Sequence, residues 1–341
     1  MSKRINQDES EHNVTLTQLD LFKLKIELLC KGAKLDTNVN RGRRAGAGPA
    51  GGRYIILPCD FRVNVALWGN FIKKSPLKIQ EVDGDFFLYR QNGKNKTNFP
   101  ITFVSKPKFY SKKTSDGIPM WKVALLHGTD CLATTISQKC IYVNQGRSCK
   151  FCGIELPLRS NKTISIKKPN QFTETVEAAV DEGVCKHITI TTGTTASADR
   201  GSELIAKVVK EVKNIFDIPI HIQIEPPEEK SYLDILADAG TDTIGIHIES
   251  FDRKTFNEVC PGKARTSLKR YYEAWKYSVE LFGKNQVSSF IIAGIGENDE
   301  SILVGAEKLA RLGVIPYLVP FRPIVGTPFE KRQPPSLKRM L

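Results

Sequence analysis

The sequence predicts an α/β fold, a partial (β/α)6 TIM-type barrel of parallel strands preceded by an N-terminal α+β extension. Three observations predict it. Strand-like and helix-like segments alternate from about residue 187 onward, the strands are rich in Ile, Val and Thr, and each ends in polar or Gly/Pro residues. The strands read HITITT (187–192), IPIHIQIE (218–225), TIGIHIES (243–250), VSSFIIAG (287–294) and IPYLVPF (315–321), with CLATTISQ (131–138) before them. Such nearly continuous apolar runs suggest strands covered on both faces. A doubly wound open sheet is the competing arrangement, which periodicity alone does not exclude. Either fold gathers its chemistry beyond the carboxyl ends of the strands.

The helices between the strands follow from spacing and caps. Leu204, Val208, Val212 and Ile215 recur at helical intervals, as do Ile302, Ala306 and Leu309. Ser231 opens a helix that Gly240 closes, Ser267 opens another that Gly283 closes, and Gly313 follows a third. QFTETVEAAVDEG supplies the helix before the strand at 187.

The expected organisation is an extension over 1–120, the barrel over 121–330 and a tail over 331–341. In the extension a helix is expected over 15–31, with β-like segments at RYIILP and DFFLYRQ. Between them, NRGRRAGAGPAGGR (40–53) places Arg43 and Arg44 in a Gly-rich stretch. It has neither Walker spacing nor a dinucleotide fingerprint, and it reads as a loop or lid.

Fifty Lys and Arg against 37 Asp and Glu give a net charge of +13. Nucleic acid, anionic membrane and phosphorylated small molecules are the partners such charge attracts. Here the lysines are interspersed with acids, as in KVVKEVK, so a solvated basic surface is expected and no nucleic acid. No apolar run reaches the ~18 residues of a membrane span, and MSKRINQDESEHN lacks the apolar core of a secretory signal. A cytoplasmic protein is the expectation.

The eight cysteines are Cys30, Cys59, Cys131, Cys140, Cys149, Cys152, Cys185 and Cys260. Most read as free thiols. KCIYVNQGRSCKFCGI differs, because Cys140–x8–Cys149–x2–Cys152 can turn three thiolates toward one metal centre. Three ligands on a 4Fe–4S cluster leave one iron open. Structural zinc takes four, with Cys131 or His127 as the candidate fourth.

These residues resemble the radical SAM superfamily, whose usual loop is C-x3-C-x2-C with an aromatic before the last cysteine. Phe151 stands at that aromatic position, while the first spacing is longer here. Across about 120–330 the likeness is to the branch of biotin synthase and lipoyl synthase, through ADAGTDTIGIHIES, PGKA and SSFIIAGIGENDE. Over nearly the whole chain, GRRAGAGP, LHGTDCLATT, ITTGTTASADRG, EPPEE and VPFRPIVGTPFE resemble a radical SAM family often encoded beside nitrilase genes.

The resemblance implies a 4Fe–4S cluster on Cys140, Cys149 and Cys152, and S-adenosylmethionine (SAM) as the second cofactor. It implies that Phe151 lies near adenine, that Thr192, Gly193 and Thr194 meet the SAM amino group, and that Glu249 meets the ribose. Gly294 and Gly296 in FIIAGIGE, and Pro320 with Phe321, would lie along adenine. Gln223 and Glu225 would touch SAM or substrate, and Lys263 would pair with a carboxylate of either. Arg322 and Thr327 are weaker candidates at the last strand. The implied reaction is reductive cleavage of SAM to a 5′-deoxyadenosyl radical that abstracts hydrogen from a small-molecule substrate. A one-electron donor such as ferredoxin or flavodoxin would be needed. The remaining cysteines form no second C-x2-C, which disfavours sulfur insertion, and no cobalamin domain is evident. The rival expectations are a radical enzyme modifying RNA and a non-catalytic zinc-stabilised binding module.

Overall fold

The computed structural model describes residues 17–35, 51–92 and 95–341. Most of the Gly/Arg-rich stretch, including Arg43 and Arg44, lies outside the described residues.

The first part of the chain is a helix on a mixed sheet. Helix α1 (Gln18–Lys31) starts with a capping box in which Thr17 and Asp20 exchange hydrogen bonds. Strands β1 (Lys34–Leu35), β2 (Arg53–Leu57), β3 (Phe61–Val65), β4 (Leu77–Val82), β5 (Asp85–Asn92) and β6 (Asn95–Phe103) follow. They assemble in the order β1-β4-β5-β6-β2-β3, antiparallel except for the β1–β4 edge. Asp83 and Gly84, both at positive φ, make the two-residue turn that joins β4 to β5. Leu21, Leu24 and Leu28 of α1 pack onto Ile55, Val63, Val65 and Ile79 to form a separate apolar core.

The rest builds the barrel. Strands β7 (Leu125–His127), β8 (Cys131–Thr135), β9 (His187–Thr191), β10 (Ile220–Ile224), β11 (Thr243–Ile246), β12 (Val287–Ala293) and β13 (Val314–Pro320) form one sheet. From β8 to β13 each strand lies parallel to its predecessor, and β7 adds an antiparallel edge beside β8. A doubly wound sheet would reverse its strand order at a switch point, and this one does not. The order ends at β13 and β7 without joining them, so the barrel is partial.

The helices in chain order are α2 (Met120–Val123), α3 (Ile141–Asn144), α4 (Leu156–Arg159), α5 (Pro169–Asp181) and α6 (Ser202–Lys213). They continue as α7 (Ser231–Asp238), α8 (Arg253–Val259), α9 (Leu268–Phe282), α10 (Asp299–Arg311) and α11 (Leu337–Met340). Among the described residues no helix is long and apolar enough to cross a membrane.

Two expectations change at this level. Strands β9 and β10 are apolar on one face only: Ile188, Ile190, Ile220 and Ile222 are fully buried in the core, whereas Thr189, Thr191, His221 and Gln223 alternate with them and are partly open. The polar set faces the lumen. In α6 the buried stripe is Ile205, Val208, Val209 and Val212, while Ile215 lies beyond the helix and is exposed. Caps hold in part. Ser267 accepts from the Arg270 amide as expected, but Ser231 is the first residue of α7, whose cap position belongs to Lys230.

Arg322, just past β13, ties the two parts together. It donates to the Asn64 carbonyl at 3.2 Å, to Asn64 Oδ1 at 2.7 Å and to the Gly51 carbonyl. Burial pushes its guanidinium down to about 10. The residue expected at the barrel mouth is thus a tether to the N-terminal sheet.

Candidate active site

The carboxyl ends of β8 to β11 open into a cleft. Cys140, Cys149 and Cys152 all line it. The loop that carries them leaves β8, turns through α3 and is pinned from several sides. The Ile141 amide donates to the Thr194 carbonyl at 2.8 Å, and the Lys150 amide to the Val259 carbonyl at 2.9 Å. Glu155 accepts from the Cys140 amide at 3.1 Å.

The thiols are held protonated. Burial raises Cys140 and pushes Cys152 up to about 12; a hydrogen bond donated to Cys260, and then burial, raise Cys149 well above the ordinary thiol value. Cys152 as a residue is open to the cleft, but its sulfur is packed among protein atoms. Among the described residues no three His, Cys, Asp or Glu side chains converge on a point that one metal ion would occupy. Cys131 and His127 pair with each other where the β7–β8 hairpin begins β8. Five residues of strand at ~3.3 Å each separate that end from the cleft, and the Cys131 thiol contacts Thr189 instead. The proposed fourth zinc ligands are therefore at the wrong end of the barrel.

Gly193 shows how closely the second strand-end approaches the loop. A Cβ there would lie 2.1 Å from the Lys139 carbonyl oxygen and 3.1 Å from the Cys140 amide. Its own amide donates to the Ser137 carbonyl at 2.7 Å.

Opposite stands a buried charged group. Lys263 Nζ contacts Glu249 Oε1 at 2.7 Å and the His247 carbonyl at 3.2 Å. Burial opposes the charge on Lys263, yet Glu249, Tyr271 and Glu225 together raise it well above the ordinary lysine value. Glu249 itself has φ 66, strained for a non-glycine residue, and is held there by amide bonds to Phe290 and from Ile292. Glu225 accepts from the Tyr142 hydroxyl at 2.8 Å through Oε2, while Oε1 is buried without a partner. Its carboxyl is raised, first by burial.

Phe151, Thr192, Gly193, Thr194, Gln223, Glu225, Glu249 and Lys263 thus share the cleft with the three cysteines. Gly294, Gly296 and Pro320 are not among its lining residues. The Gly294, Ile295 and Gly296 amides all donate to the Glu297 carboxylate, at 2.7, 2.9 and 3.0 Å. The tail covers them: Arg332 donates to the Gly294 carbonyl, and a Cβ on Gly294 would meet Pro335 at 2.8 Å. Thr327 bonds only locally, to the Ile324 carbonyl.

Sequence reasoning missed Tyr142, Arg200 and His247, which also line the cleft. His247 stacks on Phe290 at 3.9 Å and accepts from the Phe290 amide at Nδ1, which leaves the proton on Nε2, buried without a partner. Burial and Lys263 hold this imidazole well below the usual histidine range, hence neutral. Its place in HIES, two residues before Glu249, was the available signal.

Residues 145–309 match the model of the Radical SAM superfamily. Among curated proteins, the bacteriochlorophyllide c C-7(1)-hydroxylase of Chlorobaculum limnaeum is 25% identical over 343 residues, covering 94% of this chain and 82% of its own. Looser likenesses occur among solved structures. Methylornithine synthase is 18% identical with a TM-score of 0.46, over 60% of this chain and 57% of its own. An FeFe-hydrogenase maturase is 17% identical with a TM-score of 0.48, over 63% and 49%. The chain spans about half the length of these two solved structures, and neither fixes a functional detail.

Proposed function

We propose that the chain is a radical SAM superfamily enzyme that holds a 4Fe–4S cluster on Cys140, Cys149 and Cys152 and abstracts hydrogen from a small-molecule C–H bond. The observation that carries this reading is the convergence of the three thiols on one cleft with Gly193, Glu225, Glu249 and Lys263. The donor set suits the cofactors. Three cysteine sulfurs on one loop are the donors an iron–sulfur centre takes, and the unpartnered Glu225 oxygen suits a ligand bearing an amine or hydroxyls.

Held by Cys140, Cys149 and Cys152, the cluster would supply the electron for reductive cleavage of bound SAM. The chain does the rest. Gly193 lets the β9 end lie against the cysteine loop, where the Thr192–Thr194 backbone can meet the SAM amino group. Glu249 Oε2 is left to accept from ribose hydroxyls, because Lys263 occupies Oε1. Phe151 flanks the adenine side. Gln223 and the neutral His247 border the lumen, where substrate would sit out of bulk water. The C. limnaeum relative is named for hydroxylation at a C–H position, and only C–H activation is carried over to this chain. A soluble one-electron donor such as ferredoxin or flavodoxin completes the scheme.

The test is anaerobic reconstitution with iron and sulfide, then dithionite and SAM, with 5′-deoxyadenosine read by chromatography. Wild type should bind four irons and release 5′-deoxyadenosine, and Cys152→Ala should do neither. A single bound zinc in place of the cluster would refute the proposal.

A further inference from the structure

Lys167 is 1% exposed, and its Nζ donates to Gln138 Oε1 at 2.8 Å. It faces a small cavity beside the β7–β8 edge, lined also by Lys122, Lys162 and Trp121, and no carboxylate is among the described residues that line it. A buried cation without a counter-ion is costly. Burial accordingly pushes this ammonium down to about 7.

The hydrogen bond does not stop at Gln138. The Gln138 Nε2 donates to the Ile154 carbonyl at 2.6 Å, and the Ile154 amide is directed at the Cys152 sulfur. Gln138 stands two residues before Cys140 and Ile154 two residues after Cys152. One amide side chain thus clamps both ends of the cysteine loop, and Lys167 holds that side chain. The Lys167 amide also donates to the Ile136 carbonyl at 2.9 Å, fixing the lysine to the end of β8.

We infer that Lys167 is a positioning residue for the cluster: it fixes the Gln138 clamp on the loop, and its positive charge raises the cluster's reduction potential. This rests on the reading of Cys140, Cys149 and Cys152 as cluster ligands. Reduction adds one negative charge, which a nearby cation favours, and hydrogen bonding toward a ligand sulfur acts in the same direction. At an effective dielectric near 20, a unit charge at a separation on the order of 10 Å alters a one-electron equilibrium about tenfold. For one electron that is about 59 mV. The ammonium is present below about pH 7 and lost as pH rises through that value, so the potential should fall with rising pH. Lys122 and Lys162 are the other charged groups at this cavity; Lys122 is bonded outward to Asn161.

The experiment is an anaerobic redox titration of the reconstituted enzyme, read by electron paramagnetic resonance at about pH 6 and about pH 8.5. In wild type the reduction equilibrium should weaken about tenfold between the two. Lys167→Met should show the lower value at both, and Lys167→Arg, which keeps its charge, the higher value at both. Equal wild-type values at the two pH values would overturn the inference. So would a pH dependence that survives in Lys167→Arg, which decides the matter even if Lys167→Met assembles no cluster. Failure of wild type to take up four irons would instead defeat the cluster reading itself.

Discussion

Replacing Gly193 by alanine should break the cysteine loop through geometry alone. The position carries no positive φ, so alanine meets no backbone penalty there. The added Cβ would fall 2.1 Å from the Lys139 carbonyl oxygen, where real contacts below 3.0 Å essentially never occur. The neighbour is backbone and cannot swing aside, so the 139–140 segment must retreat by about 0.9 Å or more. Two hydrogen bonds hold that segment to the β9 end, from the Gly193 amide to Ser137 and from the Ile141 amide to Thr194. Losing both costs about 2 kcal/mol at ~1 kcal/mol each. Residual overpacking adds about 1 kcal/mol or more. Urea denaturation of the apoprotein reads the stability, and iron content after reconstitution reads the loop. We expect about 3 kcal/mol of destabilisation and well under four irons per chain. Gly146→Ala is the comparison: φ is +66 but nothing lies within 4 Å, so it should cost about 1 kcal/mol and keep the cluster. A Gly193→Ala protein with four irons and an unchanged midpoint would refute the reasoning.

Two further outcomes follow from the buried charges. Lys263→Met leaves Glu249 and Glu225 buried without their cation and should cost about 3–5 kcal/mol. Adding Glu249→Gln should recover part of that loss in a thermal denaturation cycle, and a fully additive double variant would show the pair uncoupled. Burial, with His187 next, pushes His221 down to about 4. Between pH 4 and pH 6.5 the unfolded chain then binds the proton that the folded chain does not. Stability should fall as pH drops through that window, by on the order of 3 kcal/mol for this one group. His221→Gln should flatten the stability–pH curve there, and an identical slope in the variant would sink the assignment.

How much of this could be read from sequence depends on the range of the interaction. The six parallel strands were legible because each is bounded by its own turn chemistry and separated by a helix of regular period. The sheet of β1–β6 was only half legible. RYIILP and DFFLYRQ announce themselves, but β3, β4 and β6 are recognisable only through partners far along the chain. Local spacing brought Cys149 and Cys152 together; that Lys263 and Glu249 would join them depended on position within the repeat. The FIIAGIGE glycines illustrate the limit. Their amides have the expected open geometry, yet Glu297, the residue that ends FIIAGIGE, takes all three. Arg339 in turn pairs with Glu297 at 2.9 Å from the chain's far end, a contact no local pattern announces.

The distribution of charge explains why the same strands serve both as scaffold and as lumen. Inward positions on β9 to β11 are Thr189, Thr191, His221, Gln223 and Thr243, paired across the strands in register. They are uncharged, His221 because burial keeps it neutral near pH 7. The carboxylates and Lys263 begin only where the strands end, at Glu225, Glu249 and the loop before α9. A charge placed deeper would lose hydration without gaining a partner, whereas at the rim the Glu249–Lys263 pair and the Tyr142–Glu225 bond compensate it. A polar ligand would therefore be held by charge at the rim and by neutral hydrogen bonds below it. Under that division, Gln223→Leu should weaken what binds in the lumen and leave the cysteine loop's iron content unchanged.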